Sequence, residues 1–276
     1  MPTNAAKEVT VTYQDRVAII TLDRPSKLNA LGSDHYWELS QRMREVAERD
    51  DIFITVLTGT GRFFSAGADV QATRPGADDE DLRRQILRGF VAQNLDITFT
   101  FANHPKILVV ALNGPAVGLS AALTAFGDFV YATPHTFLLT PFSSLGLVGE
   151  GGASAAFVER LGISKANEAL IMSKRIGIED LVSTGYVNKV FTPASGKKDD
   201  SEGFLKLVLE EVEDKLGLHL NQDSMVKIKS LIRRPGREVM ERQNVHEVFM
   251  GLSRFMDGIP QQEFMKIATG QKKHKL

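Results

Sequence analysis

The run KILVVALNG (106–114) is the most strand-like stretch of the chain, and it places the tightest constraint on the fold. Its apolar residues follow one another without alternation, which is typical of a strand that is buried on both faces. Strands of this kind belong to parallel sheets that carry helices on either side. The sequence therefore predicts an α/β core built around residues 106–114.

Shorter strand and helix patterns alternate along the chain on both sides of this run. Residues 9–23, VTVTYQDRVAIITLD, alternate apolar and polar side chains around a polar turn and predict a β-hairpin. Residues 54–61, ITVLTGTG, predict a strand that ends in a glycine turn. Residues 34–50 have helical spacing, and four of their side chains are predicted core contacts: Trp37, Leu39, Met43 and Val46.

The last quarter of the chain is helical by its spacing. The polar segment SGKKDDSEG (195–203) precedes it, and no strand is predicted after Val190-Phe191. We therefore divide the chain into an α/β core, residues 1–197, and a helical C-terminal region, residues 198–276. Four helices are predicted in that region: 204–216, 224–233, 237–256 and 260–269. The region covers the core or packs against another subunit.

Composition and charge exclude several kinds of function. The 276 residues carry a net charge of −1, so no overall field attracts nucleic acid or an anionic membrane surface. No run approaches the roughly 18 apolar residues of a membrane-spanning helix. The chain has no cysteine, and its six histidines lack the spacing of metal ligands. We expect no metal and no redox cofactor, so any chemistry rests on acid–base groups and backbone amides.

Two glycine turns could each aim a backbone N–H group at one point. The first is RFFSAGADV (62–70), where small side chains let a ligand approach the backbone closely. The second is NGPAVGLSAAL (113–123), where Gly118 permits a sharp entry into a helix with unpaired N–H groups. Two such amides on one oxygen atom would form an oxyanion hole. Taken singly, each turn is more typical of an ordinary connection between a strand and a helix, and the presence of both favours the functional interpretation.

One carboxylate lies in a stretch that is otherwise apolar and flexible. It is Glu150 in SLGLVGEGGASAA (144–156), surrounded by glycines and small residues. In an apolar pocket its pKa would rise, and the residue would be a stronger base. A solvated loop acid near a helix N-terminus is the alternative interpretation.

Four motifs follow one another along the chain: RPSKLNAL (24–31), FFSAGAD (63–69), NGPAVGLSAAL (113–123) and LGLVGEGG (145–152). In this order and spacing they resemble the crotonase superfamily of enoyl-CoA hydratases and isomerases, over about residues 9–190. The resemblance implies a spiral of ββα units with a C-terminal helical region, homotrimers often paired as homohexamers, and coenzyme A thioester substrates. It also implies that residues 198–276 cover the active site and take part in oligomerisation.

The resemblance implies roles for individual residues as well. The backbone N–H groups of Ala68 and Leu119 would form the oxyanion hole, and the leucine side chain does not prevent this. Contacts with coenzyme A are implied for six residues: Lys27, Ala30, Ala66, Gly67, Asp69 and Gly118. Three further residues are expected to line the pocket or fill the core: Phe64, Phe142 and Leu145.

The acidic residues distinguish the reactions of this superfamily. A hydratase uses two glutamates, and the corresponding positions here hold Ala122 and Phe142. Glu150 matches instead the glutamate of the fungal peroxisomal Δ3,Δ2-enoyl-CoA isomerases, which the chain resembles. Asn94 matches an asparagine near the active site of those enzymes, where it would anchor a water or orient Glu150. An ordinary polar helix residue is an equally good interpretation of Asn94.

The implied function is conversion of a 3-enoyl-CoA to its trans-2 isomer in the β-oxidation of unsaturated fatty acids. Glu150 would carry one proton from C2 to C4 while the oxyanion hole stabilises the thioester enolate. Coenzyme A is then part of the substrate. Two alternatives stay open: another crotonase activity, either hydratase or dienoyl-CoA isomerase, and a non-catalytic acyl-CoA-binding subunit. A dienoyl-CoA isomerase usually needs a second acid, and none is evident in the sequence.

The chain ends in His274-Lys275-Leu276. These residues keep the basic residue and the final leucine of the S-K-L peroxisomal address. They predict a peroxisomal location and recognition by an import receptor, with a solvated basic tail as the alternative.

Overall fold

The computed structural model describes residues 4–69 and 81–272. Nine strands lie in this part of the chain: β1 Val9–Gln14, β2 Val17–Leu22, β3 Ile54–Gly59, β4 Ile107–Leu112, β5 Ala116–Val117, β6 Phe129–Ala132, β7 Phe137–Leu139, β8 Ile176–Gly177 and β9 Lys189–Val190. Its helices are α1 Asn4–Glu8, α2 Ser33–Ala47, α3 Leu82–Ile86, α4 Ala92–Ala102, α5 Gly118–Thr124, α6 Ala153–Leu170, α7 Ile178–Ser183, α8 Ser201–Leu216, α9 Gln222–Met256 and α10 Ile259–Ala268. A π-helical turn, Leu87–Val91, joins α3 to α4.

The main sheet has six strands in the order β1-β2-β3-β4-β6-β9. Strands β1 and β2 form the predicted antiparallel hairpin, and each later neighbour pairs in parallel. Every residue of β4 is buried. Its alternate residues belong to two different apolar clusters, one on each face of the sheet. The prediction of a strand buried on both faces is therefore confirmed.

A smaller sheet of three strands, β5-β7-β8, lies beside the main one. Strand β5 pairs in parallel with β7, and β7 pairs antiparallel with β8. Strands β5 and β8 have two residues each, too few to produce a periodic signal in the sequence. Strand β5 leads directly into α5, so this small sheet fixes where that helix begins.

Helix α2 packs on the sheet with the predicted residues Leu39, Met43 and Val46 buried. The prediction for Trp37 is wrong, because its side chain is 56% exposed. Neighbouring residues on a helix point about 100° apart, so only one of two adjacent aromatic side chains can face the core. Tyr36 takes the inner position, and its hydroxyl group lies 3.0 Å from that of Ser120.

The C-terminal helices pack directly against the sheet and its helices. Helix α8 buries four residues against the face of the sheet opposite to α2: Phe204, Val208, Val212 and Leu216. The predicted boundary between residues 197 and 198 falls between β9 and α8. Helix α9 continues through Pro235, so the predicted interruption at 234–236 is wrong. Proline removes one intrahelical hydrogen bond, to the carbonyl group of Leu231, which is an exposed residue.

A buried ion pair attaches α9 to the sheet. Lys229 of α9 lies 2.6 Å from the carboxylate of Asp128, just before β6. Asp128 also accepts a hydrogen bond of 2.8 Å from the backbone N–H of Leu108 in β4. In the residues that the structure describes, no helix is long and apolar enough to cross a lipid bilayer.

Candidate active site

The two glycine turns predicted from the sequence lie against each other. The backbone N–H of Val117 donates to the carbonyl oxygen of Ser65 over 2.9 Å. Gly67 has a φ of +84°, and a Cβ atom there would lie 2.8 Å from the carbonyl oxygen of Val117. Only glycine permits both the left-handed conformation and this close approach. The turns therefore meet through their backbones, at the start of α5.

Each of the two predicted oxyanion amides is unpaired in the described part of the chain. The N–H groups on either side of Ala68 have acceptors: that of Gly67 donates to the Ser65 hydroxyl, and that of Asp69 donates to the Leu31 carbonyl. The Ala68 N–H itself donates to no acceptor in the described residues. Leu119 is the second residue of α5, where a helix has no internal acceptor for its N–H group. These two donors suit an oxygen atom that acquires negative charge.

A chain of buried hydroxyl groups ties the two turns together. The hydroxyl of Ser65 donates to the Asn29 carbonyl and lies 2.9 Å from the hydroxyl of Ser120. The N–H of Gly67 donates to the same Ser65 oxygen over 3.1 Å. Ser120 in turn meets Tyr36 of α2. The first turn of α5 and the loop that carries Ala68 are thus linked by side chains as well as by backbone bonds.

The loop that carries Glu150 packs on the first turns of α5. Gly151 has a φ of +73°. A Cβ atom on Gly151 would lie 2.7 Å from Leu119 Cδ1 and 2.9 Å from Ala122 Cβ. Glu150 is therefore brought beside the helix start that presents the Leu119 amide. The predicted oxyanion residues and the predicted base lie in one place.

The surroundings of Glu150 are apolar. Ala122 and Phe142, where the hydratase acids would be expected, form a buried cluster with Ala153. In the described chain, no hydrogen bond or ion pair engages the Glu150 carboxyl group, although the residue keeps part of its surface accessible. Burial, with a smaller contribution from the charge of Glu247, raises the pKa of Glu150 to about 8. Such a group can accept a proton and return it near neutral pH.

Glu247 is a second buried acid, and the sequence analysis missed it. It lies on α9 and is only 5% exposed. Its two carboxylate oxygens accept backbone hydrogen bonds of 2.7 Å from Gly152 and Ser154, at the start of α6. Burial raises the pKa of Glu247, and these N–H donors oppose that rise. No sequence motif marks it, but its spacing from the buried Met240 and Gly251 is helical.

Asn94 is buried on α4, which packs against α9. Its Nδ2 donates to the Phe90 carbonyl over 3.0 Å, and its Oδ1 has no hydrogen-bond partner in the described residues. One turn later, the Thr98 methyl group would lie 3.4 Å from a Cβ atom on Gly152. The helix face of Asn94 thus points towards the loop of Glu150, although the two side chains do not bond each other.

The family can be assigned from the sequence as a whole. Residues 12–208 match the family model described as Enoyl-CoA hydratase/isomerase. The chain belongs to this family. The resemblance to the crotonase superfamily predicted from the four motifs is thereby confirmed.

Three similar proteins are named as isomerases. The Pyricularia oryzae Delta(3,5)-Delta(2,4)-dienoyl-CoA isomerase is 61% identical over 97% of this chain and 98% of its own length. The Saccharomyces cerevisiae 3,2-trans-enoyl-CoA isomerase is 34% identical over 94% of this chain and 93% of its own. The mouse protein Enoyl-CoA delta isomerase 3, peroxisomal, is 30% identical over 95% of this chain and 77% of its own.

The fold agrees with that of solved members of the hydratase/isomerase family. The crystal structure of an enoyl-CoA hydratase/isomerase from Pseudoalteromonas atlantica matches with a TM-score of 0.82. The match covers 98% of this chain and 100% of the other, at 22% identity. The predicted crotonase-like α/β fold with a helical C-terminal region is confirmed.

The residues predicted to bind coenzyme A come from two segments that lie side by side. The Ala66 N–H donates to the Leu28 carbonyl over 2.9 Å, which joins the loop of Lys27 and Ala30 to the loop of Gly67. Lys27 is exposed in a 3-10 turn, and Gly118 begins α5 with a φ of +61°. Asp69 forms an ion pair of 3.4 Å with Arg24, so part of its role is structural.

The three residues predicted as pocket wall or core lie at different depths. Phe64 is 2% exposed and belongs to the main apolar cluster, as does Leu57. Phe142 is equally buried, beneath the loop of Glu150. Leu145 is half-buried in a 3-10 turn before that loop. Over residues 4–69 and 81–272, no cluster of acids and histidines could hold a metal ion.

Proposed function

We propose that this protein is an enoyl-CoA isomerase that moves the double bond of a 3-enoyl-CoA to the trans-2 position, with Glu150 as the proton carrier. The observation that carries the proposal is the position of Glu150 beside the first turn of α5: the residue is partly accessible, and its carboxyl group has no partner among the described residues. That turn supplies one unpaired N–H group, and the adjoining loop supplies the other.

The reaction follows from these groups. The Glu150 carboxylate removes a proton from C2, which is acidic because it lies next to the thioester carbonyl. The electron pair moves to form a dienolate, whose oxygen accepts hydrogen bonds from the amides of Ala68 and Leu119. The carboxylic acid then delivers the same proton to C4. The double bond ends between C2 and C3, and no other reactant is consumed.

The raised pKa of Glu150 suits this double role. An acid of ordinary pKa would be a weak base towards C2, whereas a pKa of about 8 brings its proton affinity closer to that of the carbon acid. The apolar residues Ala122 and Phe142 offer no second carboxylate to hold and split a water molecule. These features favour isomerisation over hydration.

Isomerisation of a 3,5-dienoyl-CoA to a 2,4-dienoyl-CoA is the second candidate. It is favoured by the name of the 61% identical Pyricularia oryzae relative and by Glu247, a second acid close to Glu150. In that reaction the proton must travel from C2 to C6, which is further than one carboxyl group easily reaches. Both oxygens of Glu247 already accept backbone hydrogen bonds, so we rank this candidate second.

Three thioesters tested in parallel separate the candidates: a 3-enoyl-CoA, a 3,5-dienoyl-CoA and a 2-enoyl-CoA with water. We expect the 3-enoyl-CoA to give the 2-enoyl product and the 2-enoyl-CoA to give no hydroxyacyl product. Glu150→Gln should lower kcat by at least about a thousandfold, since the amide can neither accept nor return the proton. Faster turnover of the 3,5-dienoyl-CoA than of the 3-enoyl-CoA would make dienoyl-CoA isomerisation the first candidate. Thioester binding without any turnover would support a non-catalytic subunit.

Assembly and location belong to the same proposal. We propose a homotrimer or homohexamer in the peroxisome, acting in the β-oxidation of unsaturated fatty acids. The name of the mouse relative supports the location, as does the C-terminal His274-Lys275-Leu276, which lies outside the described residues. Deleting those three residues from a fluorescent fusion should leave it in the cytosol, whereas unchanged peroxisomal import would remove the tail from the argument.

A further inference from the structure

The start of α6 has an acceptor for its N–H groups that comes from a distant helix. The residue before α6 is Gly152, which has no side chain to cap the helix. Glu247 of α9 takes that role and accepts the N–H groups of Gly152 and Ser154, one on each carboxylate oxygen. A carboxylate at a helix N-terminus is also stabilised by the helix dipole.

In the described residues, Glu247 is the only residue whose side chain makes hydrogen bonds to the backbone of residues 149–152, although the loop also packs on α5. Gly151 and Gly152 both have positive φ values, +73° and +70°, and glycines of this kind move readily without side-chain contacts. A Cβ atom on Gly149 would lie 3.6 Å from Glu247 Oε1. The carboxylate of Glu247 thus lies under the loop on both sides of Glu150.

Few titratable groups face these two acids. Helix α5 presents Leu119 and Ala122 to the loop, and α4 presents Thr98. Tyr36 of α2 lies near enough for Glu150 to affect its pKa, and burial raises that pKa, so the phenol stays neutral. Arg254 of α9 donates to the Gly146 carbonyl. In the described residues neither acid forms an ion pair with a lysine or arginine.

The two acids differ in which one holds a charge. Glu247 has two strong N–H donors, which stabilise its ionised form. Glu150 has no such donors, and the negative charge of Glu247 adds to the cost of ionising it. Glu247 is therefore the acid that ionises first, and Glu150 is the acid that keeps its proton longer.

We propose that Glu247 is a positioning residue: it fixes the loop of Glu150 through two backbone hydrogen bonds and keeps a constant negative charge beside the base. This inference rests on the proposed function, in which Glu150 carries the proton. The charge of Glu247 makes ionised Glu150 a stronger base, and the hydrogen bonds of Glu247 hold Glu150 over the substrate carbons. Glu247 itself does not touch the substrate.

Two substitutions separate the charge from the hydrogen bonds. Glu247→Gln keeps the shape but removes the charge and one acceptor oxygen. Glu247→Asp keeps the charge but is one methylene too short for both backbone bonds. Glu238→Gln is the matched control, since Glu238 lies exposed on the same helix and pairs with Arg242. All are made in the full-length chain and assayed with the thioester that the wild type turns over fastest.

The pH dependence of kcat/KM gives the decisive result. In the wild type kcat/KM should rise with pH around 8, as free Glu150 loses its proton. In Glu247→Gln the midpoint should fall by at least about half a pH unit, and kcat by about tenfold or more. In Glu247→Asp the midpoint should stay and kcat should fall about tenfold. Glu238→Gln should match the wild type.

The outcomes distinguish the inference from the function beneath it. An unchanged midpoint in Glu247→Gln, or an unchanged kcat in Glu247→Asp, overturns the inference while Glu150→Gln remains inactive. If Glu150→Gln keeps its activity, the proposed role of Glu150 is wrong, whatever the Glu247 variants show. Should Glu247→Gln not yield folded protein, the aspartate variant decides: full kcat contradicts a positioning role, and a tenfold loss with the wild-type midpoint supports it.

Discussion

The two amides and the carboxyl group of the candidate site are held by different parts of the molecule. The Ala68 and Leu119 amides are fixed by strand pairing and glycine turns within the sheet region. Glu150 lies on a loop that packs on α5 but receives its side-chain hydrogen bonds from outside that region, from Glu247 of α9. One half of the site is thus set by backbone geometry, and the other half by a single distant side chain.

This difference has consequences for how each half responds to change. A backbone-held amide cannot be adjusted without disturbing the strands that carry it, so substitutions there should damage both turnover and folding. A loop held by one carboxylate can be altered by substituting that side chain while the sheet stays intact. We therefore expect the half of the site with the Ala68 and Leu119 amides to be rigid. The half with Glu150 should respond to single side-chain substitutions without damage to the sheet.

Gly67→Ala tests the rigid half, and of the substitutions in that half it should have the largest effect. The added Cβ atom would lie 2.8 Å from the Val117 carbonyl oxygen, in a conformation that favours glycine. We expect kcat to fall by about 10²–10³-fold as the Ala68 amide moves, together with a lower Tm. Gly196→Ala is the control, since Gly196 has a similar φ of +67° and open space around it. Equal losses in both variants would show that only backbone strain matters.

Asp128→Ala tests how the helix that holds the base is attached. It removes the carboxylate that lies 2.6 Å from the buried Lys229 ammonium group and 3.1 Å from the guanidinium group of Arg233, and it leaves the Leu108 N–H without its acceptor. We expect the free energy of unfolding to fall by about 3–5 kcal/mol. Chemical denaturation measures it, with Asp223→Ala as the control, because Asp223 pairs with Lys227 at the exposed end of the same helix. A small loss at Asp128 would mean that α9 is held elsewhere.

The pH dependence of stability tests the environment of the base without any substrate. Between the ordinary glutamate value of 4.5 and about 8, folded Glu150 keeps a proton that the unfolded chain has released. The free energy of unfolding should therefore fall as pH rises through this range. Glu150→Gln should remove that part of the fall and make the protein more stable at pH 9. Parallel curves for both proteins would contradict a raised pKa.

Lys27→Ala should have the smallest effect, at the edge of the rigid half. If Lys27 contacts the phosphates of coenzyme A, its loss should raise KM a few-fold and weaken the salt dependence of KM, with kcat unchanged. Lys206→Ala, at an exposed position on α8, is the control. Identical KM values for the Lys27 variant and the wild type would exclude this contact.

The sheet and the oxyanion turns could be predicted because their signals are local. The continuous apolar run of β4 requires two covered faces, and Gly67 and Gly118 are needed where the backbone takes positive φ. The position of Glu150 between glycines was equally visible. Each of these features can be read from fewer than fifteen consecutive residues.

Other features depended on contacts that a local pattern does not contain. Trp37 and Tyr36 are adjacent aromatic residues, and it is Tyr36 that turns inward, where its hydroxyl group meets that of Ser120 on a different helix. Glu247 lies on a charged helix, and only the start of α6, more than ninety residues earlier, makes it different from its exposed neighbours. A proline ends many helices, but α9 continues on both sides of Pro235.

The attachment of the base to α9 also sets an order of events during synthesis. The strands, both glycine turns and the loop of Glu150 all precede residue 200, and a nascent chain can begin to fold them as they emerge. Glu247 emerges 97 residues after Glu150. A growing chain therefore makes the two glycine turns before it makes the carboxylate that holds the loop of Glu150, so that this loop gains its side-chain hydrogen bonds late.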